Sequence, residues 1–195
     1  MDAERFARTI KAIDRINNED PHQESFNGEV YPKELLYAQR MTDRLSAFHP
    51  EASEVLQLAA RAQHIRRWAI PRNDYPMTRV GYKQWRTALL KYHAETVGGV
   101  MEENGYEAEV ITRVQSLIQK KRLKKDEDVQ ALEDVICLVF LQYYFDSFAT
   151  KHDDEKLMGI LKKTWAKMSP KGHAAALALP LSESSRELIG EALDL

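Results

Sequence analysis

The chain has 195 residues, a formal net charge of −2 and 44% hydrophobic residues. This length fits one domain, and the apolar fraction excludes a disordered chain. No apolar run approaches the roughly 18 residues that a transmembrane helix needs, and the charged N-terminus lacks the apolar stretch of a secretory signal. We therefore expect a cytoplasmic protein without a membrane partner, and the single cysteine, Cys137, excludes a disulfide framework.

Helical periodicity dominates the chain, and no segment shows the alternation that is typical of a strand. Proline and glycine separate the periodic segments, for example at Pro50 and Gly105. The sequence therefore predicts an all-α fold of about seven to eight helices. In chain order the helices cover residues 3–16, 33–48, 53–68, 83–104, 107–121, 128–149 and 153–168, and a short one lies within 182–195. The intervening segments 22–32 and 69–82 are expected to be loops.

Four of the predicted helices each place one ionisable residue on an apolar face. Residues three, four and seven positions apart share a helix face. By this spacing His64 lies on the face of Leu56 and Ala60. Glu133 lies on the apolar stripe next to that of Asp134, so the sequence leaves open which of these two adjacent acids joins the site. The four residues expected to converge are Glu34, His64, His93 and Asp134.

Two carboxylates and two imidazoles that converge in a helical core predict a metal site. Burial of a lone carboxylate is costly unless a partner or neutralisation relieves it. A divalent cation relieves all four groups, and oxygen and nitrogen ligands suit manganese, iron, zinc, cobalt or nickel. In the alternative interpretation each histidine is a satisfied core residue, Asp134 caps a helix or pairs with an arginine, and Glu34 interacts with a helix dipole.

The order of these residues resembles the HD superfamily of metal-dependent phosphohydrolases. In this resemblance His64, in "LQLAARAQHI", matches the histidine of the His-Asp pair. Asp134, in "LEDV", matches the distal aspartate, and His93 matches an additional histidine of two-metal members. Glu34 lies near the place of the first histidine.

Two positions depart from the HD pattern. The aspartate of the His-Asp pair is replaced by Ile65, and the first histidine is replaced by an acid. The resemblance nevertheless implies an HD-like helical bundle. It predicts a single domain over residues 1–195, with a core of about 33–150 and a helical extension of about 151–195.

A closer resemblance covers nearly the whole chain. The segments "PKELLYAQRM", "AQHIRRWAIPR", "GYKQWR", "LEDVICLVFL" and "KKTWAKMS" resemble those of an uncharacterised domain-of-unknown-function family of bacteria and fungi. This resemblance supports the fold boundaries and implies no particular activity.

A basic, aromatic loop connects the predicted helices of His64 and His93. The segment 64–93 contains seven basic residues and one acid, Asp74, so its net charge is +6 and that of the remainder is −8. This segregation predicts an anionic small-molecule ligand. Guanidinium groups suit phosphate, and aromatic faces suit a base. In the alternative interpretation the aromatics belong to the core and the arginines pair with surface acids. The predicted ligand-binding residues are Arg67, Arg72, Arg79, Arg86, Trp68 and Tyr82.

Together these features predict a metal-dependent phosphohydrolase that acts on a nucleotide or a small phosphorylated metabolite. The metal would activate the attacking water, and Glu133 would act as general base or orient a ligand. Mixed carboxylate and histidine ligation also permits an iron-dependent oxygenase. The alternative is a degenerate, non-catalytic module that binds a nucleotide, RNA or a partner protein. A second basic run, 119–125, gives weak support to RNA binding and is most simply a solvated helix end.

Overall fold

A computed structural model describes residues 2–193, and these residues form an all-α fold with one small β-hairpin. The strands are β1 (Gln23–Phe26) and β2 (Glu29–Pro32). The fold class is confirmed, although the described chain has ten α-helices, slightly more than predicted. The helices are α1 (Ala3–Asn17), α2 (Lys33–Phe48), α3 (Glu54–Arg61), α4 (Arg79–Glu103), α5 (Ala108–Ile118), α6 (Glu127–Val139), α7 (Phe145–Ala149), α8 (Asp154–Trp165), α9 (Pro170–Leu177) and α10 (Glu183–Leu193).

Short polar residues begin several of these helices. The hydroxyl of Ser53 accepts a hydrogen bond of 3.2 Å from the backbone N–H of Leu56, as expected of the cap that the sequence indicated for α3. Thr78 caps α4 in the same way, so this helix begins at Arg79, four residues before the predicted start. The bounds of α2 agree with the prediction, because Pro32 suits a helix entry.

The third helix is shorter than predicted. α3 ends at Arg61, so the expected helix up to residue 68 is wrong: residues 62–66 form turns, and Arg67–Ala69 form one 3₁₀-helical turn. Arg66 adopts the left-handed conformation with φ 54°, which a helix excludes, and its N–H donates to the side chain of Asn17 at 3.0 Å. His64 therefore lies in a turn. The helical stripe that predicted its position on an apolar face does not extend to it.

The sixth predicted helix is interrupted. α6 ends at Val139, and a π-helical turn, Phe140–Tyr144, separates it from α7. A π turn inserts an extra residue per turn, so the helical spacing that predicts a continuous apolar face changes here. α9 was not predicted at all, although Ser169 caps it and Pro170 occupies its first turn, a known signal for a helix start.

The segment 22–32 is a β-hairpin and not the predicted loop. Glu24 pairs with Tyr31, and Phe26 pairs with Glu29, across a two-residue turn. Asn27 and Gly28 have φ values of 50° and 83°, as a type I′ turn requires. The Asn-Gly dipeptide was a sequence signal for this hairpin that the helical pattern obscured.

A single cluster of buried apolar residues extends from Ile13 to Ala192. α2 packs against both α3 and α6, and Met41, Leu56 and Leu138 are completely buried. Near one end of α2 this packing brings polar groups from α2, α4 and the turn after α3 into one place. Within residues 2–193, no helix is long and apolar enough to cross a bilayer.

Candidate functional site

The carboxylate of Glu34 lies in the first turn of α2 and is only 6% exposed. Its backbone N–H donates a hydrogen bond of 3.0 Å to the carboxylate of Asp20, which holds the helix start against the preceding segment. One oxygen of Glu34 is 3.2 Å from Nδ1 of His64, and the other is 3.7 Å from Nε of Arg67. Burial raises the pKa of Glu34 to about 7, although the charges of Arg67 and Lys33 oppose the shift.

The imidazole of His64 lies between an aromatic ring and a guanidinium group. Tyr37 stacks on it with ring centroids 3.9 Å apart, and Nη1 of Arg67 lies 3.4 Å from its Nε2. Burial, and after it the charges of Arg67 and Arg86, hold the pKa of His64 well below its usual value. Its side chain is still 20% exposed, so this neutral imidazole is in contact with solvent.

His93, on α4, is the deepest member of the group and only 1% exposed. Its Nδ1 is 2.8 Å from the carbonyl oxygen of Ile65, so Nδ1 bears the proton and Nε2 has a free lone pair. Nε2 is buried and has no hydrogen-bond partner among residues 2–193. Burial, followed by the neighbouring His64, lowers the pKa of His93 to about 3. The rings of the two histidines are 5.9 Å apart.

The structure thus brings Glu34, His64 and His93 together, but it gives Asp134 another role. The carboxylate of Asp134 accepts hydrogen bonds from the backbone N–H of Ser169 at 2.8 Å and from its hydroxyl at 2.6 Å. The backbone of Gly172 is packed so closely that a Cβ atom there would lie 2.5 Å from this carboxylate. Asp134 stabilises the start of α9, which corresponds to the alternative interpretation of this residue as a capping group.

Glu133, the neighbouring acid, points to a different set of partners. It forms a buried ion pair with Lys120 and lies 3.8 Å from Nζ of Lys167. Burial is the largest single influence and would raise the pKa of Glu133, but the charge and hydrogen bond of Lys120, together with the charges of Lys167 and Arg86, lower the pKa overall. The paired carboxylate is therefore poorly suited to the role of general base that the sequence suggested.

The donor atoms at the site are of types that bind a metal, but they are not arranged as a metal site. Glu34 and the free Nε2 of His93 are ligand types that divalent metals accept. Among residues 2–193, however, no group of three or more histidine, cysteine or acidic side chains is arranged to hold a metal ion. The guanidinium of Arg67 contacts both Glu34 and His64, and so places a positive charge where a cation would compete with it.

The basic loop contributes unequally to this site. Arg67 lies against Glu34 and stacks over Trp85 at 4.8 Å. The indole N–H of Trp85 donates to the carbonyl oxygen of Ile70 at 2.9 Å, so this ring organises the loop. Arg72 donates to the carbonyl oxygens of Tyr75 and Pro76 at 2.9 and 2.8 Å and thus stabilises the loop itself. The other predicted ligand-binding residues are the exposed Arg79 and Tyr82 and the half-buried Trp68 and Arg86.

Two residues of the site were not predicted from the sequence. Tyr37 follows Glu34 by three positions on α2, so helical spacing would have placed it on the same face. Lys120 belongs to the run "QKKRLKK", in which every basic residue has the same sequence signal. Only the tertiary structure shows that Lys120 is the one that reaches the buried Glu133.

The chain matches one family along most of its length. Residues 7–189 match the family described as "Domain of unknown function (DUF4202)". No curated protein and no solved structure matches the chain.

Proposed function

Since the chain belongs to the DUF4202 family, whose description assigns no activity, we propose from the site geometry that the protein hydrolyses a nucleotide or another small phosphorylated metabolite. The observation that supports the proposal is the contact between the buried carboxylate of Glu34 and the neutral imidazole of His64, directly beside the guanidinium of Arg67. An acid–base pair next to a cation suits proton transfer near a phosphate group.

The phosphate would be bound by the cationic side chains around His64. Arg67 contacts the imidazole, and after burial the positive charges of Arg67, Arg86 and Lys120 have the largest influence on the pKa of His64. A guanidinium group binds two phosphoryl oxygens in parallel. In a phosphoryl transfer the negative charge spreads over the equatorial oxygens, so fixed positive groups stabilise the transition state.

His64 would act as the general base. When Glu34 is ionised, it accepts the Nδ1–H of His64, so Nε2 bears the lone pair. Arg67, whose Nη1 lies 3.4 Å from this Nε2, would turn to the phosphate and give its place to the attacking water. Nε2 takes a proton from the attacking water, the water oxygen bonds to phosphorus, and the ester P–O bond breaks. The proton then passes from His64 to the leaving oxygen. Tyr37, stacked on the ring, keeps the imidazole in the orientation that this transfer needs.

A second candidate is the metal-dependent form of the same activity, and the free Nε2 of His93 favours it. A buried imidazole whose Nδ1–H is held by a carbonyl oxygen is typical of metal-ligating histidines. Glu34, His64 and His93 would hold the ion, and Asp134 would not take part. A divalent metal, when bound, supplies a Lewis acid for the phosphoryl group and promotes ionisation of water. Arg67 would then move away from Glu34.

The first test is hydrolysis of p-nitrophenyl phosphate and of a panel of nucleotides, measured in chelator and again with manganese, zinc, iron, cobalt or nickel. We expect wild-type turnover that falls by at least about 100-fold in His64→Ala and in Arg67→Ala, because each removes a transition-state interaction. His152→Ala, which changes a half-buried histidine near α8, serves as the control. Elemental analysis of wild type and His93→Ala accompanies the assay.

The outcomes separate the candidates. Turnover in chelator supports the metal-free acid–base pair. Turnover only with metal, together with near-stoichiometric metal that His93→Ala loses, supports the metal-dependent form. Binding of phosphorylated compounds without turnover under any condition would contradict hydrolysis and support a non-catalytic binding module. Oxygen consumption with an iron-loaded protein would support the oxygenase alternative.

A further inference from the structure

A cavity of about 540 Å³ opens between the hairpin β1–β2 and the π-helical turn Phe140–Tyr144. Small-molecule sites usually have volumes of about 300–1,000 Å³, so this cavity is large enough for a nucleoside. Three aromatic residues, Phe26, Tyr143 and Tyr144, line it together with polar and charged side chains. A π turn in the middle of a helix is common at functional sites, because it re-aims side chains away from the helical stripe.

A planar, rigid group forms part of the cavity wall. The guanidinium of Arg40, which is only 5% exposed, packs 4.7 Å from the ring centre of Phe26 and 4.5 Å from that of Tyr143. It also donates hydrogen bonds to the carboxylate of Glu24 and to the hydroxyl of Tyr144. Its Nε is buried and lacks a partner among the described residues. These contacts hold flat surfaces in place before any ligand binds, which reduces the entropy cost of binding.

The polar groups around the cavity suit a ring that both donates and accepts hydrogen bonds. Glu24 and Gln142, from opposite walls, offer a carboxylate and an amide, and Ser147 offers a hydroxyl. One oxygen of Glu24 and the side-chain oxygen of Gln142 already accept from Arg40 and Arg44, and the Ser147 hydroxyl donates to a backbone carbonyl oxygen. The second carboxylate oxygen, the amide NH2 and the hydroxyl oxygen still have capacity to bind a ligand. A nucleobase has a flat face for the aromatic side chains and an edge with both donors and acceptors.

The cavity adjoins the Glu34–His64 pair. The exposed Lys33 lines the cavity and directly precedes Glu34 in the chain. Its positive charge opposes the burial that raises the pKa of Glu34. The ring of Tyr144 is 6.1 Å from that of Tyr37, which stacks directly on His64. One aromatic layer therefore separates the cavity from the imidazole. A base in the cavity would place its ribose phosphate over Lys33, toward Glu34 and Arg67.

We infer that this cavity binds the base of a nucleotide whose phosphate occupies the Glu34–His64–Arg67 site. The inference rests on the proposed function for the phosphate end of the ligand and names the substrate class. It also moves base recognition away from the basic loop, where the sequence predicted Trp68 and Tyr82 as the aromatic contacts. In the structure Tyr82 is 48% exposed and lies beside Trp85 in the first turns of α4.

Isothermal titration tests the inference with the four common nucleoside monophosphates and with ribose 5-phosphate as the ligand without a base. A His64→Asn background prevents hydrolysis during the titration. Because stacking of one base on an aromatic side chain is worth about 1–3 kcal/mol, we expect at least one nucleotide to bind about 10-fold more tightly than ribose 5-phosphate. Tyr143→Ala should remove this advantage and leave ribose 5-phosphate binding unchanged.

Two further variants make the result decisive. Ser147→Trp fills the cavity from an exposed position without removing core contacts, and should also abolish the advantage of the base. Tyr82→Ala, at an exposed position of α4, is the matched control and should retain the advantage. Equal binding of nucleotides and ribose 5-phosphate, no binding of either, or loss of the advantage in Tyr82→Ala would overturn the inference.

Failure of the inference and failure of the proposed function are distinguishable. Nucleotide binding that depends on Tyr143, without hydrolysis by the wild type, would contradict the hydrolase proposal and retain the base site. Hydrolysis of ribose 5-phosphate at the same efficiency as nucleotides would retain the hydrolase and contradict the base site.

Discussion

His93 combines a hydrogen-bonded ring nitrogen with a buried one that has no partner. Nδ1 donates to the carbonyl oxygen of Ile65, whereas Nε2 has no partner among residues 2–193. A buried polar atom without a partner costs free energy, so its persistence in a closely packed core suggests a functional use. His93 also stabilises the turn that contains His64, because its Nδ1–H binds the carbonyl oxygen of Ile65, the next residue in the chain.

The lowered pKa of His93 predicts a pH dependence of stability. Its pKa is about 3 in the folded protein, whereas an ordinary histidine has a pKa of 6.5, so below pH 6.5 the unfolded chain binds the extra proton first. Stability is therefore complete above pH 6.5 and falls as the pH decreases. Between pH 7.5 and 5 we expect wild type to lose about 2 kcal/mol more of its free energy of unfolding than His93→Gln. Urea denaturation in chelator measures this difference, and equal losses in both proteins would contradict the assigned neutral state.

At the scale of elements, α6 shows how one helix serves two environments. Its adjacent acids point to different partners: Glu133 pairs with Lys120, and Asp134 binds Ser169 at the start of α9. Successive residues of a helix are separated by about 100°, so neighbouring side chains face different elements. The π turn that follows changes this spacing and directs Tyr143 and Tyr144 toward the hairpin cavity.

The role of Asp134 predicts the effect of removing its partner. In Ser169→Ala, α9 loses its side-chain cap and Asp134 loses a hydrogen-bond donor. We expect the free energy of unfolding to decrease by about 1–2 kcal/mol, with ligand binding and any metal content unchanged. Ser46→Ala, at an exposed position of α2, is the control and should change stability little. Loss of metal or turnover in Ser169→Ala without loss of stability would return Asp134 to the active site.

At the scale of the whole molecule, positive charge is concentrated where the proposed site lies. The segment 64–93 has a net charge of +6 in a chain of net charge −2. Only some of these cations act on the buried Glu34–His64 pair. Arg67 contacts the pair, and the charge of Arg86 lowers the pKa of His64. The remaining cations lie at the surface, where they attract anions at long range.

This charge distribution predicts stabilisation by inorganic phosphate. Phosphate that binds only the folded state raises the unfolding midpoint, by about 2–4 °C for each kcal/mol in a protein of this size. We expect such a rise for the wild type in phosphate relative to chloride at equal ionic strength, and a much smaller rise for Arg67→Ala. Lys162→Ala removes an exposed cation of α8 and should respond like wild type. The same rise in all three proteins would show a nonspecific salt effect.

Local patterns accounted for much of the fold. The period of the apolar residues and the caps at Ser53 and Pro32 predicted the all-α class and the bounds of α2. Local patterns failed where a backbone departs from regular helix: the left-handed Arg66, the π turn Phe140–Tyr144 and the Asn-Gly turn of the hairpin. Arg66 is held in its conformation by the distant side chain of Asn17, whereas the Asn-Gly turn is a local signal that the helical pattern obscured.

The candidate site was predicted only in part. The sequence by itself determined that Glu34, His64 and His93 are polar residues near apolar segments, and that a cationic loop joins the two histidines. The tertiary structure decided that these three side chains meet, that Asp134 serves α9, and that Arg67 joins Glu34. Helical period determines the face on which a residue lies, but it does not determine which elements pack together. The partners of a buried charge depend on that packing, because every such charge must find its counterpart among residues that are distant in sequence.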